Sequence, residues 1–151
     1  MRVWRLLKTR LAATAFDGEG PRLYGGRWNS VGVRVVNGSS SSALAVLEVL
    51  VHLENPAPLP AYSMVIGSVP DDSIEEYDVR ALPANWSTSP VPPETQAIGD
   101  EWVRSGRSLA LRVPSAVVPH ATNLLINPEH PDFGRVSVES TDPFTFDPRL
   151  F

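Results

Sequence analysis

A single carboxylate, Glu48, is the only charge in the apolar run from Ala43 to Val51. An ionised acid among apolar neighbours is costly unless it is paired or opens onto a cavity. Two arrangements meet that cost. One is a core ion pair with an arginine. The other is a place in a cleft, where the acid stabilises positive charge growing on a substrate, as glycosidase carboxylates do at an oxocarbenium-like centre. His52 follows one helical turn later, either hydrogen-bonded to Glu48 or packed and satisfied by itself.

The segment Gly25-Gly26-Arg27-Trp28-Asn29 puts an arginine directly after two glycines. Glycine permits close backbone approach and unusual dihedrals, and a neighbouring guanidinium can grip a phosphate bidentately. Trp28 adds an aromatic face for stacking. The same residues also read as a turn whose Arg27 pairs with a surface acid, and the local context alone favours the turn. The glycine spacing and lysine of a Rossmann fingerprint or a P-loop are absent. Ser115 follows a strand-like run but lacks the Gly-x-Ser-x-Gly context of a hydrolase nucleophile, so its expected role is to position a neighbour or ligand. Asn123, Asn127 and His130 read as capping and turn residues. No second histidine stands at metal-ligand spacing from His52, so no metal site is expected.

With 151 residues the chain fits one domain, residues 1–151, with one core. Hydrophobic residues make up 42% and charged residues 20%, which are globular values. No apolar run is long enough to span a bilayer, no secretory leader is evident, and there is no cysteine for a disulfide or thiolate site. A cytoplasmic protein is the expectation. Net charge is −4, yet residues 1–34 carry seven basic groups (Arg2, Arg5, Lys8, Arg10, Arg22, Arg27, Arg34) against Asp17 and Glu19. An acidic chain with one basic segment suits a small anionic ligand or a complementary protein better than direct contact with nucleic acid.

Several elements must position these groups. Strands are expected at Val3–Leu7, Val31–Val36, Tyr62–Val69, Leu109–Val113, Leu124–Ile126, Val136–Val138 and Phe144–Phe146. Asn37-Gly38 should end the second strand. A short helix or turn is expected at Leu11–Phe16, a loop at Asp17–Pro21, and a short acidic helix at Asp71–Asp78. A serine cluster at 39–42 can cap a helix of about three turns around Glu48. Because apolar residues lie on all its sides, that helix should be buried all round. Thr95–Ser105 forms a second helix, with Ile98, Trp102 and Val103 on one side. Asn55–Pro60 is a Pro-rich link, and residues 82–93 are an extended surface connection. The class is α+β with a mixed or antiparallel sheet and one buried central helix.

Taken together, these pieces resemble the RES-domain family, toxins of RES–Xre toxin–antitoxin pairs. The likeness covers nearly the whole chain. It runs through Gly25-Gly-Arg-Trp-Asn29, the serine-capped Ala-Leu-Ala-Val-Leu-Glu48-Val-Leu-Val-His-Leu helix and Gly99-Asp-Glu-Trp102. It continues in Leu111-Arg-Val-Pro-Ser115, Asn123-Leu-Leu-Ile-Asn-Pro-Glu-His130 and Phe146-Asp-Pro-Arg-Leu150. The resemblance implies a compact fold similar to ADP-ribosyltransferases and a toxin that cleaves the nicotinamide–ribose bond of NAD⁺, with water or phosphate as acceptor. NAD⁺ is then substrate and no separate cofactor is expected. Arg27, Glu48 and Ser115 would be the catalytic residues. Arg27 would hold the pyrophosphate, Glu48 the nicotinamide ribose, and Ser115 would position the ribose or Glu48. Tyr24, Arg27, Trp28 and Asn37 would line the dinucleotide. The family pattern usually has tyrosine where this chain has Asn37. The resemblance leaves two alternatives: a protein ADP-ribosyltransferase, as some members look to be, or, because of Asn37, a catalytically weakened binding protein of the same fold. The implied partner is an Xre-type antitoxin, which would contact DNA on the toxin's behalf; no membrane is implied.

Overall fold

A computed structural model describes residues 1–54 and 58–151. Its centre is a seven-stranded sheet in the order β4-β5-β6-β2-β1-β3-β7. The strands are β1 (Arg2–Lys8), β2 (Val36–Ser39), β3 (Tyr62–Ser68), β4 (Ile74–Glu76), β5 (Ala110–Pro114), β6 (Thr122–Ile126) and β7 (Ser137–Phe144). Only β4–β5 is parallel; the other pairs are antiparallel, so the sheet is mixed and the α+β expectation holds. The α-helices are α1 (Glu19–Tyr24), α2 (Ser42–Leu50) and α3 (Pro93–Ser105).

Register explains how the sheet prepares a site. Trp4 pairs with Ser39, Ser39 with Asn123, and Asn123 with Val113, so these four side chains share one face. The neighbouring row on that face is Asn37, Leu125 and Leu111. Two separate apolar clusters cover the face. Over β1 and β3, Leu6, Tyr62 and Met64 pack with Ala45, Val46, Val49 and Leu50 of α2. Over β5 and β6, Leu111, Val113 and Leu125 pack with Trp102 and Ile98 of α3 and with Trp28 and Trp86. Between them the floor is polar: Asn37, Ser39 and Asn123. The opposite face holds Val3, Val36, Val65, Leu124 and Ile126 beneath Ala15 and Phe16, close to a 3-10 turn at Thr9–Thr14.

Local chemistry changes several sequence expectations. β2 begins at Val36 and runs through Asn37-Gly38 instead of ending there. It lies between β1 and β6, and a Cβ on Gly38 would meet Val3 Cγ2 at 2.1 Å, so this glycine admits a neighbour's side chain and does not make a turn. Residues 31–35 are not strand. The expected loop at Asp17–Pro21 instead enters α1, with Asp17 Oδ1 accepting from Glu19 N. The acidic stretch from Asp71 is one 3-10 turn followed by β4, whose Glu75 and Glu76 pair with Arg107 and Arg112. The two expected final strands are one strand, β7, paired along β3. The central helix is not buried all round. Ser41 caps it through Leu44 N, Leu44 and Ala45 are buried, but Leu47 and Val51 are 40% and 58% exposed. The expected Asn55–Pro60 link lies partly outside the described residues. No helix among the described residues is long and apolar enough to cross a membrane.

Candidate active site

α2 carries Glu48 to the rim of the polar strip. The carboxylate is half-buried, and its Oε1 accepts from Ser115 Oγ at 2.8 Å and from Asn123 Nδ2 at 2.6 Å. Among the described residues Glu48 makes no ion pair, and Oε2 accepts no hydrogen bond. The core ion pair that the sequence allowed is therefore not what is found. His52 is exposed and makes no bond to Glu48.

Ser115 directly follows β5, whose Val113 pairs with Asn123. Its hydroxyl donates to Glu48 while its oxygen accepts from Val117 N at 3.0 Å and Val118 N at 3.1 Å. This side chain is 6% exposed, with its proton and its oxygen both engaged. It orients the acid and is not poised as a nucleophile. Asn123, read from sequence as a cap, is instead a strand residue in contact with the acid. The amide orientation follows from chemistry, since a carboxylate accepts and only Nδ2 can donate. Its Oδ1 is buried without a partner. The missed signal was register: only pairing with Ser39 and Val113 places Asn123 on the cleft face.

Arg27 sits on a loop whose shape its neighbours dictate. Gly25 has φ +71°, and a Cβ on Gly26 would lie 2.9 Å from Asn29 Oδ1. Asn29 Nδ2 donates to the carbonyls of Pro21, Ser30 and Val33, so the glycines wrap a buried amide. α3 holds the loop from beneath. Gln96 donates to Gly26 O, Asp100 accepts from Ser30 N and Oγ, and Gly99 lets the helix approach the Trp28 carbonyl. Arg27 is half-buried; desolvation lowers its pKa, and the charge of Glu48 offsets part of that loss. Its Nη1 donates to Trp86 O at 2.8 Å and Thr88 O at 3.0 Å. Among the described residues the surface-acid pairing is not found, and the guanidinium feels the charge of the Glu48 carboxylate.

The remaining sequence candidates divide. Asn37 is half-buried on the same face as Asn123, one row along β2 and β6. Trp28 offers no open stacking face: it is 4% exposed and stacked on Trp86 at 5.8 Å. Tyr24 is 83% exposed at the end of α1. Cavities of about 340 and 360 Å³ lie elsewhere, lined by residues such as His130 and Arg135 or Tyr77 and Arg112, and contain none of these groups. Converging polar chemistry, not cavity size, marks this site.

A mixed sheet thus carries a Gly-Gly-Arg loop within electrostatic reach of an acid held by serine and asparagine. The RES domain family model matches residues 2–147, and the chain belongs to the RES-domain family. It is 39% identical to a protein named Toxin Res from Yersinia enterocolitica, with 99% of each chain covered. It is also 39% identical to the Prs ADP-ribosylating toxin of a Sphingobium species, covering 97% of this chain and 94% of that one. A crystal structure of the M. tuberculosis MbcT–MbcA toxin–antitoxin complex contains a similar fold, with TM-score 0.79 at 18% identity, covering 95% of this chain and 84% of that one.

Proposed function

We propose that this chain is the toxin of a toxin–antitoxin pair and that it cleaves the nicotinamide–ribose bond of NAD⁺. The observation that carries the reading is the state of Glu48: one oxygen is held by Ser115 and Asn123, and the other has no partner among the described residues. The acid is thereby fixed in place with an acceptor left for a ribose hydroxyl. As the C1′–N bond breaks, its electron pair leaves with nicotinamide, which departs neutral and needs no proton. Positive charge grows on the ribose, and a preoriented carboxylate stabilises that charge more than the ground state. Arg27 supplies the cationic contact for the pyrophosphate. Water then adds at C1′ and releases a proton to solvent, or phosphate adds in its place.

The test is nicotinamide release from NAD⁺ by purified protein, beside Glu48→Ala and Arg27→Ala. Release by the wild type, with loss in both variants, is expected; equal rates in all three would remove the mechanism. A second reading is favoured by the relative named an ADP-ribosylating toxin. There the acceptor is a protein side chain, and mass added to a target distinguishes it from free ADP-ribose. The proposed partner is an Xre-type antitoxin. Its co-expression should restore growth and cellular NAD⁺, and the two proteins should co-purify.

A further inference from the structure

We infer that Trp86 is a positioning residue: its segment straps the Arg27 guanidinium so that the Nε/Nη2 edge is offered to a phosphate oxygen pair. The inference deepens the proposed function and rests on it for the identity of the anion. The connection at 82–93 was expected to be a surface link, but its middle is a built element. Trp86 N donates to Pro83 O at 3.0 Å, and Thr88 donates to Asn85 O through both N (3.0 Å) and Oγ1 (2.9 Å). Leu82 and Trp86 pack against the buried cluster of Trp28, Trp102 and Leu111. The Trp86 ring stacks on Trp28, the residue next to Arg27, at an interplanar angle of 28°.

This rigid turn aims two carbonyls at one nitrogen. Both contacts of Arg27, to Trp86 O and Thr88 O, come from Nη1. A guanidinium has two bidentate edges that match paired phosphate oxygens. With Nη1 occupied, the edge formed by Nε and Nη2 is the one without a partner among the described residues. The two carbonyls restrain rotation about the terminal bonds, so the fork is biased toward one orientation before ligand arrives. An arginine free to rotate would lose that ordering advantage on binding.

The experiment uses the whole chain labelled with ¹⁵N-arginine and inorganic pyrophosphate as probe. In wild type, Arg27 should give separate, slowly exchanging Nη1 protons, and pyrophosphate should shift its Nε–H signal. Trp86→Ala should average the Arg27 side-chain signals and weaken pyrophosphate binding by about tenfold, while Trp86→Phe should restore most of both. Far-UV circular dichroism reports whether each variant is folded. Should Trp86→Ala unfold the chain, the inference rests on wild type and Trp86→Phe, which must both show the restricted Nη1 protons. Freely rotating Arg27 signals in wild type, no Nε–H shift, or equal pyrophosphate affinity in a folded Trp86→Ala protein would overturn it. Nicotinamide release is measured separately, so its absence would count against NAD⁺ as substrate and not against the strap.

Discussion

Both hydrogen bonds that Glu48 receives land on Oε1, from Ser115 and from Asn123. Bonds to a charged group are each worth about 1.5–3 kcal/mol. Ser115→Ala and Asn123→Ala should each lower kcat by about 10- to 100-fold, more than they change KM, in a nicotinamide-release assay. Because the donors share one oxygen, the double variant should lose less than the product of the single losses. Glu48→Gln keeps the shape but removes the charge, and turnover should fall by about 100-fold or more. Asn37 bears on the same strip. Asn37→Tyr should raise turnover by a few-fold, on the order of the 1 kcal/mol of an aromatic contact. No gain would leave Asn37 unable to explain a weak enzyme. At this scale Glu48 stood out as the one charge in an apolar run, whereas Arg27 and Ser115 were singled out by the family resemblance and not by their local context. Asn123 was not legible, because an asparagine near a strand end resembles a cap until the partner strand is known.

α3 acts on the site through its backbone. A Cβ on Gly99 would meet the Trp28 carbonyl at 1.7 Å, far inside contact distance. Gly99→Ala should destabilise the fold by about 1–3 kcal/mol in denaturant melts, and any folded protein should bind NAD⁺ poorly through a displaced Arg27 loop. β1 carries a cost of another kind. Arg5 faces the apolar side of the sheet, 5.9 Å from the Phe16 ring centroid, and burial pulls its pKa down to about 10 despite the nearby Asp17. A base whose folded pKa is depressed weakens the fold at every pH below that value. The penalty fades as pH rises above about 10 toward the ordinary arginine range. Arg5→Met should therefore raise the melting temperature at pH 7, with a gain of about 1 kcal/mol. Among elements, the helices at Glu48 and Trp102 were readable from caps and periodicity. β2 was not, since Asn37-Gly38 has turn chemistry that the surrounding strands override.

Over the whole molecule, three of the seven basic groups of residues 1–34 form ion pairs among the described residues. Arg22 and Arg34 both meet Glu19, and Arg2 meets Glu139. Arg27 is the member of that group on which the charge of Glu48 acts, so an anion bound beside Glu48 would meet one dedicated cation. NAD⁺ binding should weaken only modestly with added salt, in contrast to the steep dependence of a phosphate-tracking surface; KM measured across ionic strength checks this. The overall class was legible because strand-like runs, turn residues and helix caps agree in their spacing. The polar strip itself was not, because it depends on two apolar clusters staying separate on one sheet face.

The saturated hydroxyl of Ser115 has a practical consequence. A fluorophosphonate or sulfonyl fluoride reacts with an accessible serine activated by a base, and here the buried hydroxyl donates to Glu48 while its oxygen accepts from two backbone amides. Covalent profiling aimed at serine hydrolases would pass this protein by. Chemical capture would have to come through an electrophilic sugar that alkylates the acid itself.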